Sequence, residues 1–109
     1  MNLDIRNLRV LVTAGASGIG LEIARSFLRE GARVHVCDVN EAALAAMAES
    51  DPQISRSVAD VSNRADVERL FDDALHALGG LDVLVNNAGI AGPTASVDEV
   101  APEDWDRTL

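Results

Sequence analysis

The chain has 109 residues, 48% hydrophobic and 25% charged, proportions that fit one globular domain or part of one and exclude a disordered or fibrous chain. Its formal net charge of −9 excludes a surface that binds the phosphate backbone of nucleic acids, because such a surface needs clustered Lys and Arg. We interpret the acidic residues as solvated helix faces.

Four segments have the pattern of β-strands, and the intervals between them have helical patterns. The strand signals cover Val10–Thr13, Arg33–Cys37, Ile54–Ala59 and Leu81–Val85. The first, second and fourth are almost continuously apolar, so we expect them to be buried on both faces, as in a parallel sheet.

Helical periodicity and terminal residues define three helices. The first is predicted from Ile19 to Glu30 and is followed by Gly31. The second is capped by Asn40 and ends before Pro52. The third is predicted from Asn63 to Leu78 and is followed by Gly79 and Gly80. Their expected buried faces hold Ile19, Ile23, Ala24, Phe27 and Leu28, then Ala43, Leu44, Met47 and Ala48, then Val67, Leu70, Phe71, Ala74, Leu75 and Leu78. A loop from Asn87 to Val100 precedes a fourth helix that begins near Pro102 and contains Trp105, which we expect to pack against neighbouring helices.

The alternation of strands and helices predicts an α/β fold with a doubly wound parallel sheet. Four strands would form the first part of a Rossmann-type fold in the order 3-2-1-4. A ligand crevice is expected above the carboxyl ends of strands 1 and 4, where the strand order reverses.

Glycines and polar residues follow the predicted strand ends. Gly15–Gly20 turns out of the first strand into a helix, which favours a pyrophosphate at the helix N-terminus. Asp38 ends the second strand eighteen residues after Gly20, where a carboxylate would bind the ribose of NAD. Asp60 and Asn86–Gly89 follow the third and fourth strands, so four segments point to one cofactor crevice. Residues 1–109 would therefore be the dinucleotide-binding portion of one domain.

From Leu8 to Leu109 the chain resembles the N-terminal, cofactor-binding part of a short-chain dehydrogenase/reductase. The resemblance rests on Thr13-Ala14-Gly15-Ala16-Ser17-Gly18-Ile19-Gly20, Asp38, Asp60-Val61 and Asn86-Asn87-Ala88-Gly89. Ala14 departs from the family pattern, which has its first glycine there.

The resemblance implies a role for each matching residue. The pyrophosphate would contact Gly15, Ala16, Ser17, Gly18, Ile19 and Gly20. The adenosine ribose would bind to Asp38, and the adenine would contact Asp60 and Val61. The ribose near the nicotinamide would contact Asn87, Ala88 and Gly89. Asn86 would tie adjacent strands together, and Thr13 would bond backbone rather than ligand.

Charge favours NAD as the cofactor. The carboxylate of Asp38 would repel the extra phosphate of NADP, and neither Ser17 nor Val39 is basic. An alternative interpretation is that Asp38 only caps the next helix before Asn40.

The family transfers hydride between NAD(H) and a carbonyl or secondary alcohol with a Tyr, a Lys four residues later, a Ser and an Asn. This chain has neither Tyr nor Lys, so we assign no catalytic residue and expect residues 1–109 alone to be inactive. The complete protein is expected to act on a small-molecule substrate and to form a dimer or tetramer. The alternative is a nucleotide-binding module or sensor without turnover.

The remaining polar residues have no predicted part in chemistry. His35 and His76 lack a second ligand at metal spacing, so no metal site is predicted, and Cys37 is interpreted as a small core residue that has no disulfide partner. Asp72, Asp73 and Asp82 are interpreted as solvated or capping groups. Because no secretory signal follows Met1 and no apolar stretch reaches the ~20 residues that cross a bilayer, we expect a cytoplasmic protein without a membrane partner.

Overall fold

The computed structural model of the protein describes residues 5–87, which form seven alternating elements. They are β1 (Arg9–Thr13), α1 (Gly18–Arg29), β2 (Arg33–Asp38), α2 (Glu41–Ser50), β3 (Ser55–Val58), α3 (Arg64–Leu78) and β4 (Val83–Val85). Every strand and helix predicted in this range is confirmed, with ends that differ by one or two residues. Ala88, Gly89, the predicted loop beyond them and the fourth helix with Trp105 lie outside the described residues.

The four strands form one parallel sheet in the order β3-β2-β1-β4, as predicted. Leu11 of β1 pairs with His35 of β2 on one side and with Leu84 of β4 on the other. The strand order reverses between β1 and β4, since β1 and its two successors extend the sheet in one direction and β4 is added on the other side. This is the Rossmann-type topology, with its crevice at the carboxyl ends of the strands.

The helices cover both faces of the sheet. One core packs Val10, Val12, Val34 and Val36 of the strands against Ala24 of α1 and against Leu44 and Met47 of α2. The other core packs Leu11 and Cys37 against Leu70 and Ala74 of α3. Burial on both faces explains why β1 and β2 are almost continuously apolar.

Caps fix the helix ends near the predicted positions. The side chains of Asn40 and Asn63 accept hydrogen bonds from the amides of Ala43 and Asp66, so both asparagines cap helices. Gly79 follows α3 with a left-handed φ of 79°, a conformation that glycine adopts without steric cost.

Two predictions of burial are wrong. Ile19 is 75% exposed because it lies in the first turn of α1, at the carboxyl edge of the sheet. Leu75 is 45% exposed, since it lies at the margin of the α3 face that covers the sheet. The residues of β4 contact the cores on both faces, as predicted, but they are only half-buried, and within residues 5–87 this strand has one neighbour, β1.

Two acidic side chains that were interpreted as solvated or capping groups take part in tertiary contacts. Asp82 accepts hydrogen bonds from the backbone amide of Arg9 at 2.9 Å and from its guanidinium, which lower the pKa of Asp82 to about 2. Asp73 accepts a hydrogen bond from the hydroxyl of Ser57 at 3.1 Å. Asp72 is exposed, as expected.

His35 is buried within a polar chain that connects β2, β3 and α3. Its Nδ1 lies 2.6 Å from Oγ of Ser55 and its Nε2 lies 2.7 Å from Oγ of Ser57. Because the Ser57 hydroxyl donates to Asp73, it accepts from Nε2–H of His35, which leaves Nδ1 as the acceptor for Ser55. This arrangement supports the packing role predicted for His35.

No helix within residues 5–87 is both long enough and apolar enough to cross a membrane.

Candidate functional site

The described residues that the sequence assigned to a cofactor lie along the carboxyl edge of the sheet. Parallel strands end at the same edge, so the segments after β1, β2, β3 and β4 come together there. They contribute the glycine-rich turn 14–17, Asp38 with Val39, residues 59–63, and Asn86 with Asn87.

The glycine-rich turn is packed tightly against the sheet. The amide of Gly15 donates to the carbonyl oxygen of Cys37 at 3.1 Å, and a Cβ on Gly15 would lie 2.7 Å from Cβ of Val36. A Cβ on Gly20 would overlap the carbonyl oxygen of Ala14. The lack of a side chain at Gly15 therefore lets the turn lie close to β2, and the lack of one at Gly20 lets α1 lie close to the turn.

The N-terminus of α1 remains open at this edge. Ser17 is the N-cap residue, but its side chain makes no capping hydrogen bond, and no other side chain of residues 5–87 accepts from the amides of the first turn. Gly18 has a φ of 58°, and a Cβ added to it would meet no atom of residues 5–87 within 4 Å. Open space in front of uncapped amides suits a bound anion such as a pyrophosphate.

Asp38 joins the glycine-rich turn to the end of β2. Its Oδ2 accepts from the amide of Ala16 at 3.1 Å, and its Oδ1 accepts from the amide of Asn40 at 3.0 Å. The second contact leads into α2, where Asn40 rather than Asp38 provides the cap. Each carboxylate oxygen keeps a further lone pair that could accept from a ribose hydroxyl.

An open cleft of about 290 Å³ lies beside Asp38. It is lined by Ala14, Cys37, Asp38, Val39, Ala59, Asp60, Val61 and Ser62. Its wall includes the 65% exposed side chain of Val39, which is not among the predicted cofactor contacts. An apolar side chain next to polar backbone and a carboxylate suits a flat heteroaromatic ring attached to a sugar.

The carboxylate of Asp60 is fixed within its own turn. Its Oδ1 accepts from the hydroxyl of Ser62 at 2.7 Å and from the Ser62 amide at 2.9 Å. These hydrogen bonds hold the pKa of Asp60 below its ordinary value. A fixed, ionised Asp60 leaves the backbone of residues 60 and 61 as a stable wall of the cleft.

The two asparagines after β4 have different surroundings. The hydroxyl of Thr13 lies 3.0 Å from Oδ1 of Asn86 and 3.4 Å from the carbonyl oxygen of Val85, so Thr13 and Asn86 connect β1 to β4. These contacts support the structural roles expected for both residues. The side-chain nitrogen Nδ2 of Asn87 donates to the carbonyl oxygen of Ala14 at 3.3 Å, which links the end of β4 to the glycine-rich turn.

Ala14, the departure from the family pattern, has a left-handed φ of 52°. We expect Ala14→Gly to stabilise the protein by about 1 kcal/mol, because the strain of an L-residue at this φ exceeds the entropy that an added glycine costs. Urea denaturation measures the change. Ala16→Gly is the control, since Ala16 is buried and its φ is not positive, and we expect it to destabilise the protein. A loss of stability in Ala14→Gly would show that the turn is not strained.

Asp66 was not recognised from the sequence as a contributor to this edge. Its Oδ2 accepts from the amide of Asp60 at 2.9 Å. The available signal was the spacing from Asn63 to an acidic residue three positions later, which is typical of a capping box.

Within residues 5–87, no three His, Cys, Asp or Glu side chains are grouped so that they could hold a metal ion.

Comparison with known proteins gives consistent matches along the chain. A family model described as short chain dehydrogenase matches residues 8–109. The chain is 41% identical to 3β-hydroxysteroid dehydrogenase 2 of Eggerthella lenta over 103 residues, which are 91% of this chain and 40% of that protein. It is 40% identical to sorbitol dehydrogenase of Cereibacter sphaeroides over 108 residues, which are 98% of this chain and 41% of that protein.

A solved structure also resembles this fold. The crystal structure of a 3-ketoacyl-(acyl-carrier-protein) reductase from Brucella melitensis complexed with NADH superimposes with a TM-score of 0.74 at 33% identity. The match covers 95% of this chain and 43% of the reductase chain. The chain thus spans about two fifths of the length of each of these three proteins.

Proposed function

The chain belongs to the short-chain dehydrogenase/reductase family, and on that premise we propose that it is the cofactor-binding portion of an NAD(H)-dependent oxidoreductase. The complete enzyme transfers hydride between the nicotinamide and a carbonyl or secondary alcohol of a small molecule. A bound nicotinamide supplies or accepts the hydride, and the residues of this chain bind and orient the cofactor.

The contact between Asp38 and Ala16 carries the proposal. It holds a carboxylate beside the uncapped N-terminus of α1, so one site offers donors to a pyrophosphate and acceptors to a ribose. The residues that we propose for cofactor binding are Gly15, Ala16, Ser17, Gly18, Ile19, Gly20, Asp38, Asp60, Val61, Asn87, Ala88 and Gly89.

Asp38 also supports the choice of NAD over NADP. A 2′-phosphate on the adenosine ribose would lie against this carboxylate, and the uncharged residues Ser17 and Val39 could not offset the repulsion. The exposed apolar surfaces of Ile19 and Val39 suit contacts with the cofactor's rings.

Catalysis requires groups that this chain does not contain. It has no Tyr and no Lys, the pair that the family uses as acid/base and as the cation that lowers the tyrosine pKa. We therefore propose that the catalytic residues lie outside residues 1–109 and that this portion alone is inactive. A cytoplasmic location and a dimeric or tetrameric assembly remain predictions.

The test of cofactor choice is titration calorimetry of the full-length protein with NAD⁺ and NADP⁺. We expect wild type to bind NAD⁺ at least about tenfold more tightly than NADP⁺. The Asp38→Ala variant should show a smaller difference between the two affinities. Loss of a charge-assisted hydrogen bond costs about 1.5–3 kcal/mol, or roughly ten- to a hundredfold in NAD⁺ affinity.

Two further variants complete this experiment. Asp38→Asn keeps one oxygen acceptor and removes the charge, so it should gain NADP⁺ affinity relative to wild type while losing less NAD⁺ affinity than Asp38→Ala. Asp72→Ala removes a charge from the exposed side of α3 and should change neither affinity. Equal binding of the two cofactors by wild type would overturn the NAD assignment.

A further inference from the structure

We propose that Asp66 is a positioning residue for the adenine-facing wall of the cleft, acting from behind the wall on the backbone of Asp60. This inference rests on the proposed function, because it assigns a ligand-dependent role to a residue outside the cofactor contacts.

Asp66 lies in the first turn of α3 and reaches back to the end of β3. Its Oδ2 accepts from the backbone amide of Asp60 at 2.9 Å, while its own amide donates to Oδ1 of Asn63 at 3.0 Å. Asn63 caps the helix and Asp66 bonds an amide that precedes the helix, so the two side chains fasten the loop to α3 from both sides.

Arg69 extends this connection to the last residue of β3. One guanidinium nitrogen, Nη1, lies 3.2 Å from Oδ1 of Asp66, and the other, Nη2, donates to the carbonyl oxygen of Val58 at 2.6 Å. The Asp66–Arg69 pair therefore bonds the backbone on both sides of Ala59. The short connection from β3 to α3 is held to the helix by side chains.

The residues that Asp66 fixes are those that face the cleft. Asp60 and Val61 line it, whereas Asp66 does not and its side chain is only 28% exposed. The wall has a second attachment, because the amide of Ala59 donates to the carbonyl oxygen of Asp38 at 3.1 Å. Asp66 thus sets the distance between α3 and a wall that Asp38 already holds on its other side.

A wall fixed before binding does not have to be ordered by the ligand. Without the Asp66 carboxylate, the amide of Asp60 loses its acceptor and the loop gains freedom that the adenosine moiety must remove when it binds. The affinity for any ligand that contains adenosine should therefore fall, even though Asp66 touches no part of the ligand.

The experiment measures NAD⁺ and AMP binding to the full-length protein by calorimetry, with unfolding temperatures determined in parallel. We expect Asp66→Ala to weaken both ligands about tenfold, the effect of losing one hydrogen bond to a charged acceptor. Asp66→Asn should weaken both ligands less than Asp66→Ala, because its amide oxygen can still accept from Asp60 although its NH2 group cannot pair with Arg69.

Asp73→Ala is the matched control. It removes another carboxylate of α3, one that accepts from the Ser57 hydroxyl of β3 at 3.1 Å, but leaves the contact between Asp66 and the amide of Asp60, so its AMP affinity should remain near that of wild type. Unchanged AMP affinity in Asp66→Ala, equal losses in Asp66→Asn, or an equal loss in Asp73→Ala would each overturn the inference. Failure of wild type to bind NAD⁺ would instead overturn the proposed function on which it rests.

Discussion

Gly18→Val is expected to abolish measurable NAD binding while the sheet still folds. A Cβ at residue 18 meets no atom of the described residues within 4 Å, so the substitution causes no overlap in the core. The added side chain would enter the open space in front of the α1 amides, where we propose that the pyrophosphate binds. We expect the affinity to fall at least about a hundredfold, or ~2.7 kcal/mol.

Backbone strain contributes separately to the properties of this variant. Gly18 has a φ of 58°, which a β-branched residue adopts at a cost of about 1–2 kcal/mol, so the variant should also be less stable. Gly79→Val is the matched control, because Gly79 has a φ of 79° and the nearest atom to its added Cβ is 3.9 Å away. Gly79 follows α3 at the opposite edge of the sheet.

The two glycine variants distinguish a binding turn from a simple connection. Gly79→Val should lose similar stability and keep the NAD affinity of wild type, as measured by calorimetry and urea denaturation. If folded Gly18→Val protein bound NAD as tightly as wild type, the turn would be only a link between β1 and α1.

A fall in pH from about 6.5 to 4 is expected to lower the free energy of unfolding by about 3 kcal/mol through the protonation of His35 alone. Burial lowers the pKa of His35 from its ordinary value of 6.5 to about 4, although the nearby charge of Asp73 opposes this shift. Since the folded pKa is below the unfolded one, the unfolded state takes up the proton first as the pH falls. Stability is therefore full above pH 6.5, declines between about pH 6.5 and 4, and declines no further below that range on account of His35.

Urea denaturation at pH 7 and pH 4.5 tests this expectation. His35→Gln should be less stable than wild type at pH 7, because it disrupts the contacts with Ser55 and Ser57, but should lose less stability on acidification. His76→Gln is the control, because it makes the same substitution at an exposed imidazole of α3.

The acid response of Asp82 falls in a different range. Its pKa is lowered by Arg9 to about 2, so the stability that it contributes is lost only as the pH falls from about 3.8 towards 2. An identical decline between pH 6.5 and 4.5 in wild type and His35→Gln would contradict the role assigned to His35.

Much of the fold followed from local patterns in the sequence. The continuous apolar runs of β1 and β2, the caps at Asn40 and Asn63, and the glycine after α3 each depend on a few adjacent residues, so they could be predicted with nearly correct ends. The order 3-2-1-4 then followed from the alternation of strands and helices together with the glycine-rich turn.

Periodicity was less informative at the margins of the helices. The apolar side chains of Ile19 and Leu75 continue helical patterns, yet both are exposed. Burial depends on which neighbouring element covers a given turn, and the repeat of a single helix does not contain that information.

The candidate site, like the fold, could be predicted only in part from the sequence. The sequence by itself determined that Gly15–Gly20, Asp38, Asp60 and Asn87 follow strand ends, and parallel strands bring such ends to one edge. Only the tertiary structure decided which groups touch, such as Asp38 with the amide of Ala16 and Asp66 with the amide of Asp60. The reason is that a hydrogen bond requires its donor and acceptor to lie within about 3 Å, and strand register and helix placement set that distance for residues far apart along the chain.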